Sequence, residues 1–290
     1  MYSYKKVKFE SSLDNLAAYE YPCDEPKVIM CCVHGIGEHF GRYERMAARL
    51  AEYGIKMIGM DLRGHGRTPG KRGHCAPRTD VLSDIDSMIK YAVDTYPGIP
   101  SVIYGHSMGG NIALDYRYRG RFSGVPRAYV ISAPWIRLVR PVTGLLYGAV
   151  SLLSKIAPSA TIGSAVDEKV LGNPESVGDY LSDPLVHTRI SMLTAVEGFS
   201  IGNAIYDGTW LKAGEGRHRP LLLMHGNADM ICDVEGSRML KKHEGDICEY
   251  VEWDNYYHEI HNGGPDDDGM EVIEKTGEWI CSILKGDFNE

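Results

Sequence analysis

Ser101-Val102-Ile103-Tyr104-Gly105-His106-Ser107-Met108-Gly109-Gly110 is the stretch on which the reading of this 290-residue chain turns. Its first four residues are β-type, and the segment from Met108 through Tyr118 suits a helix. Between them Ser107 stands with a glycine two residues to either side, at a turn too tight for side chains at 105 and 109. A serine on such a strand-to-helix turn reads as a nucleophile elbow. Its hydroxyl is thrust out at a helix start, where the free amide of Met108 and the helix dipole favour developing negative charge. The pentapeptide alone is weak, because a glycine-rich turn with an incidental serine looks the same. The rest of the chain has to decide.

Composition sets the limits. With 43% hydrophobic and 24% charged residues the chain reads as globular, large enough for one α/β domain with an insertion. A formal charge of −8 and the lack of any basic tract argue against nucleic acid as a partner. Cys23, Cys31, Cys32, Cys75, Cys232, Cys248 and Cys281 are odd in number and scattered, without a CxxC pair. That suits reduced thiols and a cytoplasmic location better than a disulfide framework. The opening MYSYKKVKFESSLDN has no apolar core, so no signal peptide is expected, and no apolar run is long enough to span a bilayer.

Outward from the elbow, apolar runs alternate with amphipathic segments. Strands are expected at 4–10 and 15–21, then at 27–33, 55–60, 128–132, 220–225 and 248–253, most of them continuously apolar as strands buried on both faces are. Tyr43, Met46, Ala47 and Leu50 mark one helix at i, i+3, i+4, i+7 spacing. Val81 to Ala92 marks another, and Met270, Ile273, Ile280 and Leu284 a third. This order implies a mostly parallel sheet with helices on both faces. Residues 133–218 are too long for a connection and carry the apolar VTGLLYGAVSLLSKIA (142–157). They read as an inserted helical cap on a core of 1–132 and 219–290. Within strand 27–33, Cys31 and Cys32 point to opposite faces and read as core.

A serine needs a base. Asp229, after strand 220–225, and His258, after strand 248–253, follow Ser107 in the order serine, acid, histidine of the α/β-hydrolases, at strand ends where catalytic groups gather. Asp233 and Asp254 compete for the acid and His261 for the base; Asp229 is preferred because it sits soonest after its strand behind a Gly-Asn turn. In this fold the second oxyanion donor comes from the loop after the third strand. That assigns the backbone amides of Ile36, in His34-Gly35-Ile36-Gly37, and of Met108. A dinucleotide loop is excluded there because Phe40 stands where a glycine is needed. His258-Glu259-Ile260-His261 is one residue short of HExxH, so no metal and no cofactor are expected. Cys232 reads as structural, with a reactive thiol beside the site as the alternative, and His65 as a structural histidine.

Taken together, HGIGEHFGRY (34–43), GMDLRGHGRT (59–68), GHSMGG (105–110), LSDPL (181–185), HGNADMICD (225–233) and YHEIH (257–261) resemble the monoacylglycerol lipase and lysophospholipase group. The resemblance runs over nearly the whole chain. It implies an α/β-hydrolase fold, the triad Ser107, Asp229 and His258, and a polar headgroup end near Glu38, Arg42 and His261. It also implies an acyl tunnel under the cap and cap contact with a membrane or micelle surface, with a plain core helix at 142–157 as the alternative. Phe40 is expected to narrow the mouth.

The expected function is hydrolysis of a carboxylic ester through an acyl-enzyme, with a monoacylglycerol as substrate. A lysophospholipid, a general carboxylic ester or a thioester is the alternative. A non-catalytic ligand-binding protein on the same fold is the reading from a different class. Serine at 107 excludes chemistry that needs an aspartate nucleophile.

Overall fold

The computed structural model describes residues 3–164, 166–210 and 214–285. Its elements run β1 (Lys5–Val7), β2 (Ala18–Glu20), β3 (Val28–Val33), α1 (Glu44–Ala51), β4 (Ile55–Met60), α2 (Arg78–Thr95), β5 (Ser101–His106), α3 (Met108–Arg119) and β6 (Ala128–Ser132). After these come α4 (Gly144–Ile156), β7 (Thr161–Gly163), α5 (Pro174–Val177), β8 (Arg189–Ser191) and α6 (Met192–Tyr206). The chain finishes with β9 (Leu221–Gly226), α7 (Val234–Glu244), β10 (Cys248–Trp253) and α8 (Met270–Leu284).

Eight strands form one sheet in the order β1-β2-β4-β3-β5-β6-β9-β10. Only the pairings that involve β2 are antiparallel; from β4 to β10 the sheet is parallel. The order reverses between β3 and β5, where Val33 lies opposite Gly105. A reversal of this kind opens a crevice at the carboxyl ends of the strands, and the two glycine-rich loops leave from it.

Successive residues of β3 serve opposite cores, as a period of two requires. Ile29, Cys31 and Val33 join α2 and α3 on one face, while Met30 and Cys32 join α1 and α8 on the other. All eight expected sheet strands form. The first two are shorter than 4–10 and 15–21, because pairing with β2 extends only over Lys5–Val7 and pairing with β4 only over Ala18–Glu20.

Between β6 and β9, where residues 165 and 211–213 lie outside the described residues, the chain holds α4, α5, α6 and the antiparallel pair β7–β8. α6 packs against α3 and α7 of the core and against α4 outside it. α4 is no core helix: only Ser154 is buried, and Leu145, Leu152 and Ile156 are 89%, 62% and 75% exposed.

Candidate active site

Ser107 occupies the elbow with φ 56° and ψ −119°, a conformation that costs a non-glycine residue roughly 1–3 kcal/mol and needs its surroundings to hold it. They do. Its N–H donates to Ser132 O at the end of β6, and its carbonyl accepts from Asn111 N and Trp135 N. The flanking glycines are obligatory, since a Cβ on Gly105 would meet Gly109 O at 2.5 Å and one on Gly109 would meet Val33 O at 2.0 Å.

The loops after β9 and β10 bring the other two residues to the serine. His258 Nε2 lies 2.8 Å from Ser107 Oγ, and His258 Nδ1 lies 2.7 Å from Asp229 Oδ2. With the proton on Nδ1, donated to Asp229, Nε2 is free to accept the serine hydroxyl. Asp229 Oδ2 also accepts from His225 Nε2 at 3.0 Å, and Oδ1 takes the N–H groups of Ile231 and Cys232. Burial would raise this carboxyl, yet the two histidines hold it well below the usual carboxylate range. Burial likewise disfavours the His258 imidazolium, but the Asp229 charge and hydrogen bond outweigh it and leave the pKa above the ordinary 6.5. A fixed acceptor with a raised pKa is a competent general base.

The rival residues have other work. Asp233 caps α7 by accepting Glu235 N–H, and Asp254 binds Asn227. His261 is stacked on Tyr43 and lies edge-on to His106, and burial brings its pKa down to about 4. His65 is buried and hydrogen-bonds Arg63 O.

The loop after β3 lies against the nucleophile: a Cβ on Gly35 would come 3.2 Å from Ser107 Cβ and 2.8 Å from Glu38 Oε1. Ile36 and Ser107 line the same cavities. Met108 is the first residue of α3, so its N–H has no intrahelical acceptor. Phe40 does not narrow the mouth. It is fully buried beneath Gly59 among Tyr4, Tyr19 and Tyr21, because His39 opens a 3-10 turn that swings the ring under the sheet.

Glu38 and Arg42 form a buried ionic group with Glu259, which the sequence did not single out. Arg42 Nη1 bonds Glu38 Oε2 at 2.8 Å and its guanidinium grips Glu259 with bonds of 2.5 and 2.8 Å. Glu38 Oε1 also takes Gly35 N–H and the Tyr43 hydroxyl. Against the cost of burial, Arg42 holds Glu259 well below the usual range. Only Glu38 of the three sequence-assigned headgroup residues lines the cavity at Ser107; Arg42 lies behind it and His261 behind His106. The insertion is fastened to this loop by His39 to Asp183 at 3.0 Å and by His187 N–H to Gly37 O.

Ser107 thus stands between two unlike spaces. On one side is an apolar cavity of about 190 Å³ walled by Trp135, Phe199, Ile190 and Val142. On the other is a recess of about 20 Å³ bounded by Glu38, His106, Tyr180 and Glu259. Cys232 lines the first, but burial and the Asp229 charge push its thiol pKa well up, so it is no thiolate nucleophile. Asp229, Cys232 and His258 bring ligand-type atoms within 4.8 Å of one another. The acid and imidazole among them are already bonded to each other.

Residues 24–264 match the Hydrolase_4 family, described as serine aminopeptidase, S33. The monoacylglycerol lipase of Mycolicibacterium smegmatis is 30% identical over 91% of this chain and 91% of its own. The human monoglyceride lipase is 32% identical over 90% of this chain and 85% of its own. The crystal structure of a monoacylglycerol lipase from Paleococcus ferrophilus superposes with a TM-score of 0.80 at 30% identity, covering 92% of this chain and 99% of that one.

Proposed function

The chain belongs to the Hydrolase_4 family of α/β-hydrolase-fold serine hydrolases, and we propose that this serine ester hydrolase cleaves monoacylglycerols to fatty acid and glycerol. Ser107 Oγ attacks the ester carbonyl carbon while His258 Nε2 takes its proton. The oxyanion rests on the amides of Ile36 and Met108, each such donor being worth about 3–4 kcal/mol. The imidazolium, steadied by Asp229, gives its proton to the leaving glycerol oxygen. Water then repeats the sequence on the acyl-enzyme, with His258 as base, and frees Ser107. The recess of about 20 Å³ has room for one hydroxyl or one water, which suits it to the leaving oxygen and then to the incoming water.

One observation carries the substrate: Ser107 sits between an apolar cavity and a small recess where the single guanidinium of Arg42 already serves both Glu38 and Glu259, and burial pushes Glu38 toward its neutral form. An aminopeptidase substrate would bring an ammonium, but Glu38 and Glu259 are both engaged by Arg42. A lysophospholipid would bring a phosphate, but Arg42 is engaged by two carboxylates. An uncharged headgroup enters such a place without stranding a charge of its own. Residues 133–218 serve as the cap, and the outward leucines of α4 give it a face for a micelle or bilayer surface. No helix among the described residues is long and apolar enough to cross a membrane.

The test compares fatty acid release from a monoacylglycerol, the matching lysophosphatidylcholine and short-chain esters, for wild type and a folded Ser107→Ala. Monoacylglycerol turnover should exceed the other two and fall at least 10⁴-fold in the variant. Turnover of short esters alone would retain the chemistry and overturn the substrate. Full activity in Ser107→Ala would overturn both.

A further inference from the structure

The apolar cavity beside Ser107 is small. An enclosed apolar cavity of about 150 Å³ accommodates a benzene ring, that is six carbons, so about 190 Å³ scales to roughly eight. Its walls are built by side-chain packing. Trp135 is tied to the elbow through its backbone N–H, which donates to Ser107 O, and its ring meets Phe199 of α6 edge-to-face at 5.1 Å. Tyr147 of α4 stands perpendicular to Phe199 from the outer side at 6.2 Å, so the aromatic wall is three rings deep. Ala195, one turn before Phe199 on α6, lines the same space and is itself buried.

We propose that Trp135 and Phe199 set the length of acyl chain this enzyme selects, and that it is selective for medium chains of about eight carbons, later methylenes lying outside the cavity. The proposal rests on the ester-hydrolase reading above but not on the glycerol headgroup. Each methylene that enters the cavity is removed from water, and burying one is worth a factor of about four in kcat/KM. Methylenes that lie outside it gain little. The specificity profile therefore has a break in slope, and the break reports the cavity.

Phe199→Ala removes a ring of the wall and lengthens the space. Ala195→Leu fills it. Two acyl series, of p-nitrophenyl esters and of 1-monoacylglycerols from four to sixteen carbons, are measured in one mixed-micelle preparation. For wild type, kcat/KM should rise about fourfold per carbon up to roughly eight and then flatten. The break should move out by several carbons in Phe199→Ala and inward in Ala195→Leu. If either variant fails to fold, the other still moves the break in its own direction. A slope that continues unbroken to sixteen carbons in wild type, or a break that stays put in both variants, overturns the proposal. If the break appears with p-nitrophenyl esters while no monoacylglycerol is cleaved, the headgroup reading has failed and this one stands.

Discussion

The two sides of Ser107 are built by opposite means. On the side of the sheet, the groups around the nucleophile are held by buried hydrogen bonds, some within one loop and some between elements far apart in sequence. Ser132 holds the elbow, His225 and two backbone amides hold Asp229, and Arg42 holds Glu38 and Glu259. On the side of the insertion, the wall is made of aromatic and aliphatic contacts, and its outer helix leaves leucines in solvent. Directional bonds fix geometry to a few tenths of an ångström, which proton transfer requires. Apolar contacts fix volume and allow adjustment, which is enough for selecting an acyl chain. Chemistry and selectivity are thus separable, and substitutions on the two sides should fail in different ways.

The largest effect should come from Asp229→Asn. It keeps the shape but removes the charge that steadies the imidazolium, so kcat should fall about 10⁴-fold with little change in KM. The pH profile carries the sharper test. His258 must be neutral to act as base, and its pKa is raised, so wild-type kcat/KM should climb with pH through a midpoint above the ordinary 6.5. Without the carboxylate, burial is left to dominate and the midpoint of the residual activity should move toward acid. A midpoint that does not move would mean that Asp229 does not set the titration of His258.

Next should come Arg42→Ala. It strands Glu38 and Glu259 with no counter-charge in a buried place, and breaking a buried pair in this way costs about 3–5 kcal/mol. The urea midpoint should drop accordingly and remain low at neutral pH. Turnover of the protein that stays folded should also fall, because Glu38 receives Gly35 N–H and so sets the loop that carries Ile36. A variant as stable as wild type would show that this ionic group is not what holds the oxyanion side.

The same division decides what the sequence could tell. Strands buried on both faces announce themselves as apolar runs, and glycines at 105 and 109 are there because backbone oxygens leave no room for a Cβ. Ser107, Asp229 and His258 were legible from their order at strand ends, and the geometry brings the three within hydrogen-bond reach. α6 was not legible: Met192, Ala195, Phe199 and Ile201 mix with Gly198 and Gly202 and leave no polar stripe, since the helix is covered from several sides. The start of α7 was hidden for a different reason. The sequence offers Asp233 as a rival catalytic acid, but capping a helix is the commoner use of an aspartate after a strand. In the sequence Glu259 stands only as the middle of an incomplete HExxH. Its partner Arg42 is 217 residues away, a pairing that no local pattern reports.

The smallest effect, and the one that best separates the two sides, concerns α4. Leu145, Leu152 and Ile156 lie outside the cavity, so changing them to serine removes no wall and strands no buried group. Surface changes of this kind usually alter stability by less than about 0.5 kcal/mol. Turnover of a freely soluble butyrate ester should therefore match wild type. If α4 meets the lipid surface, transfer of these side chains into it contributes to binding, and their loss should raise the apparent KM for a micellar substrate several-fold at unchanged kcat. Measuring both substrates on one preparation of the triple variant makes the comparison internal. A parallel loss on butyrate and micelle would place α4 in the packing of the cavity instead, and the separation between fixed chemistry and adjustable wall would then have to be drawn further from Ser107.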